Sequence, residues 1–168
     1  MSYPSRQRLI GWLAAGLLAL ATPALAQQGQ PIEVEADRLE LDESAGTAVY
    51  SGEVEIRQGD LRLTGARVTI QRNDAGEVSR LTAIGERAYL EQRPAEGDLI
   101  QGWGRTIVYH TAERRVELID RAELHRGADT FNGAYVEYRI DRRLVEARAD
   151  AEGTDRQRVR MTLTPEQQ

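Results

Sequence analysis

Residues 48–70 read AVYSGEVEIRQGDLRLTGARVTI, with apolar side chains at alternate positions on both sides of a Gln-Gly-Asp turn. Before the turn, Val54 and Ile56 alternate with charged residues, and the same alternation resumes at Leu61. A period of two is typical of a β-strand with one apolar and one polar face. The stretch therefore predicts a hairpin of an antiparallel sheet with one face in a core.

The same alternation continues through most of the later chain. Its apolar positions include Ile107, Tyr109, Val116, Leu118, Val136, Tyr138, Ile140, Val159, Met161 and Leu163. Turns containing Gly and Asp separate these segments at short intervals. We therefore predict an all-β fold, a twisted antiparallel β-jellyroll or sandwich of repeated hairpins that is open at both ends. Only residues 144–150 leave open the choice between a short helix and a strand.

The chain also contains an internal repeat with an offset of 68 positions and no gap. The matching pairs include Gly59 with Gly127, Gly65 with Gly133, and Val68 with Val136. An even offset keeps the apolar face on the same side of the strand. The two copies span about residues 36–70 and 102–140, so we expect one unit of hairpins to be used twice.

The first 26 residues have the three parts of a secretory signal peptide. Arg6 and Arg8 precede an apolar run over residues 9–20, and an Ala-Leu-Ala cleavage motif ends at Ala26. The run is shorter than the roughly 20 residues of a membrane-spanning helix. We therefore expect cleavage after Ala26, export to the periplasm, and a single domain over residues 27–168.

The composition excludes several kinds of chemistry. All 22 residues counted as Lys+Arg are arginines, and cysteine is absent, so lysine-based and thiol-based sites are excluded. A net charge of −5, with Arg and Glu interspersed, argues against nucleic acid as a partner. His110 and His125 belong to no hydrolase or metal motif and are predicted to lie on polar faces. We predict no catalysis, no metal and no cofactor.

An aliphatic interior is the remaining functional feature, and it suits acyl chains better than sugars, which usually bind aromatic platforms. Leaving a chain of about twelve carbons in water costs roughly 9 kcal/mol, at about 0.8 kcal/mol per CH₂. An open-ended β-roll would shelter such a chain. The pattern leaves a second possibility open, a closed and fully packed core that binds nothing. The regular terminal strands, after Pro31 and before Pro165, are free to pair with another copy.

Three segments carry a resemblance to a known family. The segments PIEVEADRLELD (residues 31–42), VYSGEV (49–54) and QGDLRLTGARV (58–68) resemble the repeat of the OstA-like family, which includes the lipopolysaccharide-transport periplasmic protein LptA. The second copy matches more loosely, and residues 158–165 look like the family's last strand. LptC and the N-terminal domain of LptD share the fold, and the cleavage site distinguishes this chain from the anchored LptC.

The resemblance implies a β-jellyroll that shelters the acyl chains of lipopolysaccharide in an apolar groove. The family's groove positions fall on Ile32, Val34, Arg72, Leu90 and Tyr109. The apolar face predicted by alternation adds Tyr50, Ile56, Val68 and Val136 to this groove. Arg72 is predicted either to meet a lipid phosphate through charge-assisted hydrogen bonds or to be an exposed rim residue.

The resemblance also implies partners. Copies are expected to associate head to tail into a bridge between the inner and outer membranes. An LptC-like protein is expected at the N-terminal edge and an LptD-like protein at the C-terminal edge. The alternative function is a structural β-module that polymerises edge to edge as an envelope scaffold without a lipid ligand.

Overall fold

A computed structural model describes residues 30–165 of the chain. The predicted signal peptide, residues 1–26, lies outside the described residues. The strands are β1 (Glu33–Glu35), β2 (Arg38–Asp42), β3 (Thr47–Gln58), β4 (Leu61–Arg72), β5 (Val78–Gln92), β6 (Ile100–His110), β7 (Arg115–Arg126), β8 (Asp129–Arg139), β9 (Leu144–Arg148) and β10 (Arg160–Thr162). Among the described residues there is no helix long and apolar enough to cross a membrane.

Consecutive hairpins build one antiparallel sheet, with strand order β1-β3-β4-β5-β6-β7-β8-β10. β2 pairs with β3 beside β1, and β9 pairs with β8 beside β10, so neither end of the sheet closes on the other. The turn at Gly59 sets the register in which Ile56 faces Leu63, as the alternation requires. The predicted all-β, antiparallel and open-ended fold is confirmed, and residues 144–148 form a strand rather than a helix.

A line of register breaks divides the sheet into two halves. The breaks fall between Ser51 and Val54 in β3 and recur at the corresponding point of each following strand through β7. The longer strands therefore bend where the breaks align. Half-sheet I comprises β2, β9 and strand residues 47–51, 67–72, 78–84, 106–110, 115–119 and 135–139. Half-sheet II comprises β1, β10 and strand residues 54–58, 61–64, 88–92, 100–103, 122–126 and 129–133.

Glycines let the backbone turn and approach closely along this crease. Gly52 has φ +83°, a conformation that costs glycine little. A Cβ on Gly104 would lie 3.1 Å from the backbone oxygen of Ile119, and one on Gly133 would lie 2.7 Å from that of Arg148. Side chains at these positions would push neighbouring strands apart, which explains why glycine recurs along the crease.

The apolar faces of the two half-sheets pack against each other and form one core. Gly102 of half-sheet II leaves room for Leu118 of half-sheet I, whose Cδ2 would lie 2.9 Å from an added Cβ. The side chains that are fully or almost fully buried include Ile56, Leu63, Leu81, Leu90, Ile107, Leu118, Leu124, Val54, Val68, Val116 and Val136. The gap between the two rows of hairpin turns, opposite the crease, is the mouth of the jellyroll.

Candidate functional site

The mouth contains an open cavity with an apolar floor and a polar rim at its N-terminal end. This N-terminal mouth cavity, about 640 Å³, lies between β1 and the turns that join β2 to β3 and β4 to β5. Ligand pockets commonly measure roughly 300–1,000 Å³. Its apolar floor consists of Ile32, Val34, Ala48, Tyr50, Ile70 and Val78. These side chains also pack against the main core, so the floor is an accessible extension of that core.

Two ordered turns form the polar rim of this cavity. The Asp42 carboxylate accepts hydrogen bonds from Ser44 Oγ at 2.6 Å and from the backbone N of Ala45 at 3.0 Å. These bonds hold the pKa of Asp42 below its ordinary value. In the other turn, Asn73 Oδ1 accepts a hydrogen bond from the backbone N of Glu77 at 2.9 Å. Side-chain bonds of this kind stabilise turns, so the rim has a defined shape.

Arg72 is the cationic residue among those that line the cavity. Its backbone N donates a hydrogen bond to the carbonyl oxygen of Gly46 at 2.9 Å, which joins the end of β4 to the turn before β3. The side chain is exposed and makes no ion pair with the described residues. Its guanidinium is therefore available to an anion at the rim.

The residues predicted to line a groove fall into two groups. Ile32, Val34, Tyr50 and Arg72 come together in the N-terminal mouth cavity. The others lie inside the core between the half-sheets: Ile56, Val68, Leu90, Tyr109 and Val136. Each residue of this second group is at most 7% exposed. The predicted groove is thus open at its N-terminal end, and its remaining residues are buried in the packed core. A role for the buried residues in lining a ligand site stays a prediction.

Sequence reasoning missed part of the cavity floor. Ala48 and Ile70 have the apolar parity seen from the sequence, but the alternation did not show that they reach an opening. Val78 follows the Asn73–Glu77 turn, and its place in the cavity depends on how that turn folds back. All three residues lie within a few positions of a rim turn along the chain, and this closeness is the feature of the sequence that could have identified them.

Charged residues occupy the C-terminal end of the mouth. The cavity there, about 550 Å³, is lined by both rows of turns. Arg126 pairs with Asp129 at 3.2 Å, and Arg126 Nη1 donates a hydrogen bond to the backbone oxygen of Arg143 at 3.2 Å. This second bond joins the rim of half-sheet II to that of half-sheet I. The two ends of the mouth therefore differ: the N-terminal cavity has an apolar floor, whereas a hydrogen bond between the two rims crosses the C-terminal end.

The histidines lie on the outer faces of different half-sheets and outside the N-terminal mouth cavity. His125 Nε2 is 2.8 Å from Glu123 Oε1 on half-sheet II. His110 Nε2 is 3.2 Å from Glu117 Oε1 on half-sheet I. The structure does not bring the two rings together.

Comparisons with known proteins find relatives along most of the chain. Residues 33–143 match a family model described as "LptA/(LptD N-terminal domain) LPS transport protein". The chain is 38% identical to the lipopolysaccharide export system protein LptH of Pseudomonas aeruginosa, over 98% of this chain and 97% of that protein. It is 28% identical to the lipopolysaccharide export system protein LptA of Escherichia coli K12, over 92% of this chain and 84% of that protein.

A solved structure supports the same relationship. The crystal structure of LptH, described as the LptA-homologous periplasmic component of the lipopolysaccharide transport device of Pseudomonas aeruginosa, superposes with a TM-score of 0.74. The match covers 81% of this chain and 96% of that chain at 38% identity. The sequence and the fold lead to one assignment, and the chain belongs to the LptA/LptD N-terminal domain family of lipopolysaccharide transport proteins.

Proposed function

We propose that the protein is a periplasmic carrier that shelters the acyl chains of lipopolysaccharide between its two half-sheets. The observation that carries this proposal is the N-terminal mouth cavity, where Val34 and Tyr50 extend the apolar core to an opening. Its relatives are named lipopolysaccharide export system proteins, which supports lipopolysaccharide as the ligand.

The cavity is the proposed entry point, and the packed core is the proposed route for the rest of the chains. Ile56 and Tyr109 lie on opposing half-sheets and come within reach of a ligand when the half-sheets separate. The crease is the natural hinge because its register breaks already interrupt the hydrogen-bond ladders. Apolar contact with the chains would replace the core contacts that opening removes, so the net change in buried apolar surface stays small.

The two ends of the sheet support head-to-tail association. β1 and β2 leave a free backbone edge at one end, as do β9 and β10 at the other. Large apolar side chains are exposed at both ends: Leu39, Leu41, Val159, Met161 and Leu163. A second copy would continue the sheet by strand pairing and cover these side chains, giving a heterologous contact that extends indefinitely. By the same pairing, we assign the N-terminal edge to an LptC-like partner and the C-terminal edge to an LptD-like partner, with the stack as the bridge between membranes.

Photocrosslinking at two adjacent positions of β1 tests the proposed entry point. A photoreactive amino acid replaces Val34, which lines the cavity, or Glu33, which is exposed on the polar face. In cells that make lipopolysaccharide, we expect an adduct at position 34 and none at position 33, since successive strand residues point to opposite faces. Adducts at both positions would indicate non-specific binding to the surface and would contradict the assignment of Val34 and Glu33 to opposite faces of β1.

A structural β-module without a ligand is the second candidate, and the closed core favours it. Leu90 and Val136 are fully buried, as in a core that binds nothing. The crosslinking experiment separates the two functions because only the carrier needs lipid in the cavity. If folded, self-associating protein gives no adduct at either β1 position, the structural module is the better description.

A further inference from the structure

A second cavity lies on the outer face of half-sheet I, directly behind the rim of the mouth. It measures about 440 Å³. We call it the outer trough and define it by Thr47, Gln71, Arg72, Arg80, His110 and Glu113. Strand pairing aligns Thr47 with Gln71 and Arg80 with His110, so the trough runs across β3, β4, β5 and β6. Polar side chains at the ends of four neighbouring strands thus converge on one depression.

The trough carries an excess of positive charge. Neither Arg72 nor Arg80 makes an ion pair with the described residues, although arginines elsewhere on the same face are paired. The carboxylate on its wall, Glu113, is occupied because it accepts a hydrogen bond from Arg115 Nε at 2.7 Å. That bond lowers the pKa of Glu113, which favours its ionised, paired form. Two unpaired guanidiniums therefore face the trough.

The far wall of the trough is the half-buried ring of His110. Its Nε2 is buried and makes no hydrogen bond, although it lies 3.2 Å from Glu117 Oε1. Burial, together with nearby Arg115 and Arg80, lowers the pKa of His110, so the ring is neutral under ordinary conditions. A bound anion would remove the local excess of positive charge that these arginines create.

The trough and the N-terminal mouth cavity meet over the rim. Ala45, Thr47 and Arg72 line both cavities. Arg72 therefore stands between the cavity with the apolar floor on the inside and the cationic trough on the outside. This arrangement matches an amphiphile whose chains point inward and whose anionic group lies outside.

We propose that the outer trough binds a phosphate-type oxyanion, carried as the headgroup of an amphiphile whose acyl chains occupy the N-terminal mouth cavity. Arg72 and Arg80 would contact it by charge-assisted and bidentate hydrogen bonds, the geometry that suits guanidinium and phosphate. This inference rests on the proposed function for the position of the acyl chains.

The charge of the inner rim explains why the oxyanion would lie outside. Asp42, Glu43 and Asp74 line the mouth cavity, and their carboxylates repel a phosphate held on that side. Among the described residues that line the outer trough, Glu113 is the one carboxylate. It accepts a hydrogen bond from Arg115, whose guanidinium also pairs with Glu117 and Glu137. The headgroup is therefore expected to cross the rim at Arg72 and turn towards Arg80.

The test compares an anionic and a neutral amphiphile with the same tail. Binding of dodecyl phosphate and of dodecyl maltoside, both below their micelle concentrations, is measured by NMR titration of the wild-type protein and of two variants. Arg80→Gln removes a trough charge. Arg67→Gln is the matched control, because Arg67 is an exposed arginine on the same outer face, makes no ion pair with the described residues and lines neither cavity. Inorganic phosphate alone is titrated at equal ionic strength.

We expect Arg80→Gln to weaken dodecyl phosphate binding about five- to tenfold, the loss of one charge-assisted contact, while Arg67→Gln changes it less than about twofold. Dodecyl maltoside binding should be the same in all three proteins. Equal losses of dodecyl phosphate affinity in both variants, or no loss in Arg80→Gln, would overturn the proposal that the trough binds the oxyanion. Phosphate that shifts trough resonances as strongly as dodecyl phosphate would overturn the headgroup assignment in favour of free phosphate. Failure of the wild-type protein to bind dodecyl maltoside would instead contradict the proposed function. The titration with inorganic phosphate would still show whether the trough binds an oxyanion.

Discussion

Replacing Leu118 by Ala should lower the free energy of unfolding by about 3 kcal/mol, within the range of roughly 2–5 kcal/mol for such core truncations. Leu118 is 0% exposed, and its methyl groups fill the space left by Gly102 on the opposing half-sheet. The truncation therefore opens a cavity at the contact between the half-sheets. Urea denaturation followed by circular dichroism measures the loss.

Leu39→Ala is the control for this prediction. Leu39 is on β2, has the same side chain and is 52% exposed, so its truncation should change the free energy of unfolding by less than about 0.5 kcal/mol. A Leu118→Ala variant as stable as Leu39→Ala would show that the half-sheets do not pack through Leu118.

Replacing Gly133 by Ala should destabilise the protein by about 1–3 kcal/mol, the usual effect of an added methyl group where there is no room. The new Cβ would lie 2.7 Å from the backbone oxygen of Arg148. Strand β9 must then move away from β8, so its pairing, which aligns Tyr135 with Arg148, is the contact that weakens. Hydrogen exchange should increase first in the amides of β9.

Asn132→Ala is the neighbouring control, because it shortens a half-buried side chain and introduces no clash. Its effect should be within about 0.5 kcal/mol, and β9 should keep its protection. If Gly133→Ala left the exchange of β9 unchanged, close backbone approach would not be the reason for glycine at this point of the crease.

Much of the fold was predictable because alternation is a local property of the chain. The run from Val54 to Ile70 shows which side chains share a face, and the Gly59 turn sets how its two strands pair. The aligned register breaks were less visible. Alternation assigns no role to Gly104 or Gly133, because their role depends on backbone from strands that are adjacent only in the folded sheet.

The candidate site was predictable only in part, for a related reason. Alternation shows that Val34 and Val68 face inward, but it does not show which of them reaches an opening. Val34 lines the cavity, whereas Val68 is fully buried. A polar substitution at Val68 would consequently test folding, because a buried polar group without partners is itself destabilising. The outer trough could not be seen from the sequence, since Arg80 and His110 belong to a face on which charged residues are the rule.

If lipopolysaccharide chains enter between the half-sheets, binding must widen the mouth, and two distances between spin labels measure this. The chain contains no cysteine, so spin labels can be attached only where cysteines are introduced. Ala95→Cys and Ala112→Cys place labels on exposed turns of opposite rims, and Ala75→Cys with Ala112→Cys places both on the rim of half-sheet I.

Pulsed electron paramagnetic resonance then measures both distances with and without lipopolysaccharide. We expect bound lipopolysaccharide to lengthen the 95–112 distance across the mouth and to leave the 75–112 distance along one rim unchanged. An unchanged 95–112 distance in protein that demonstrably holds lipopolysaccharide would rule out entry between the half-sheets, because the chains would then be bound without opening the core.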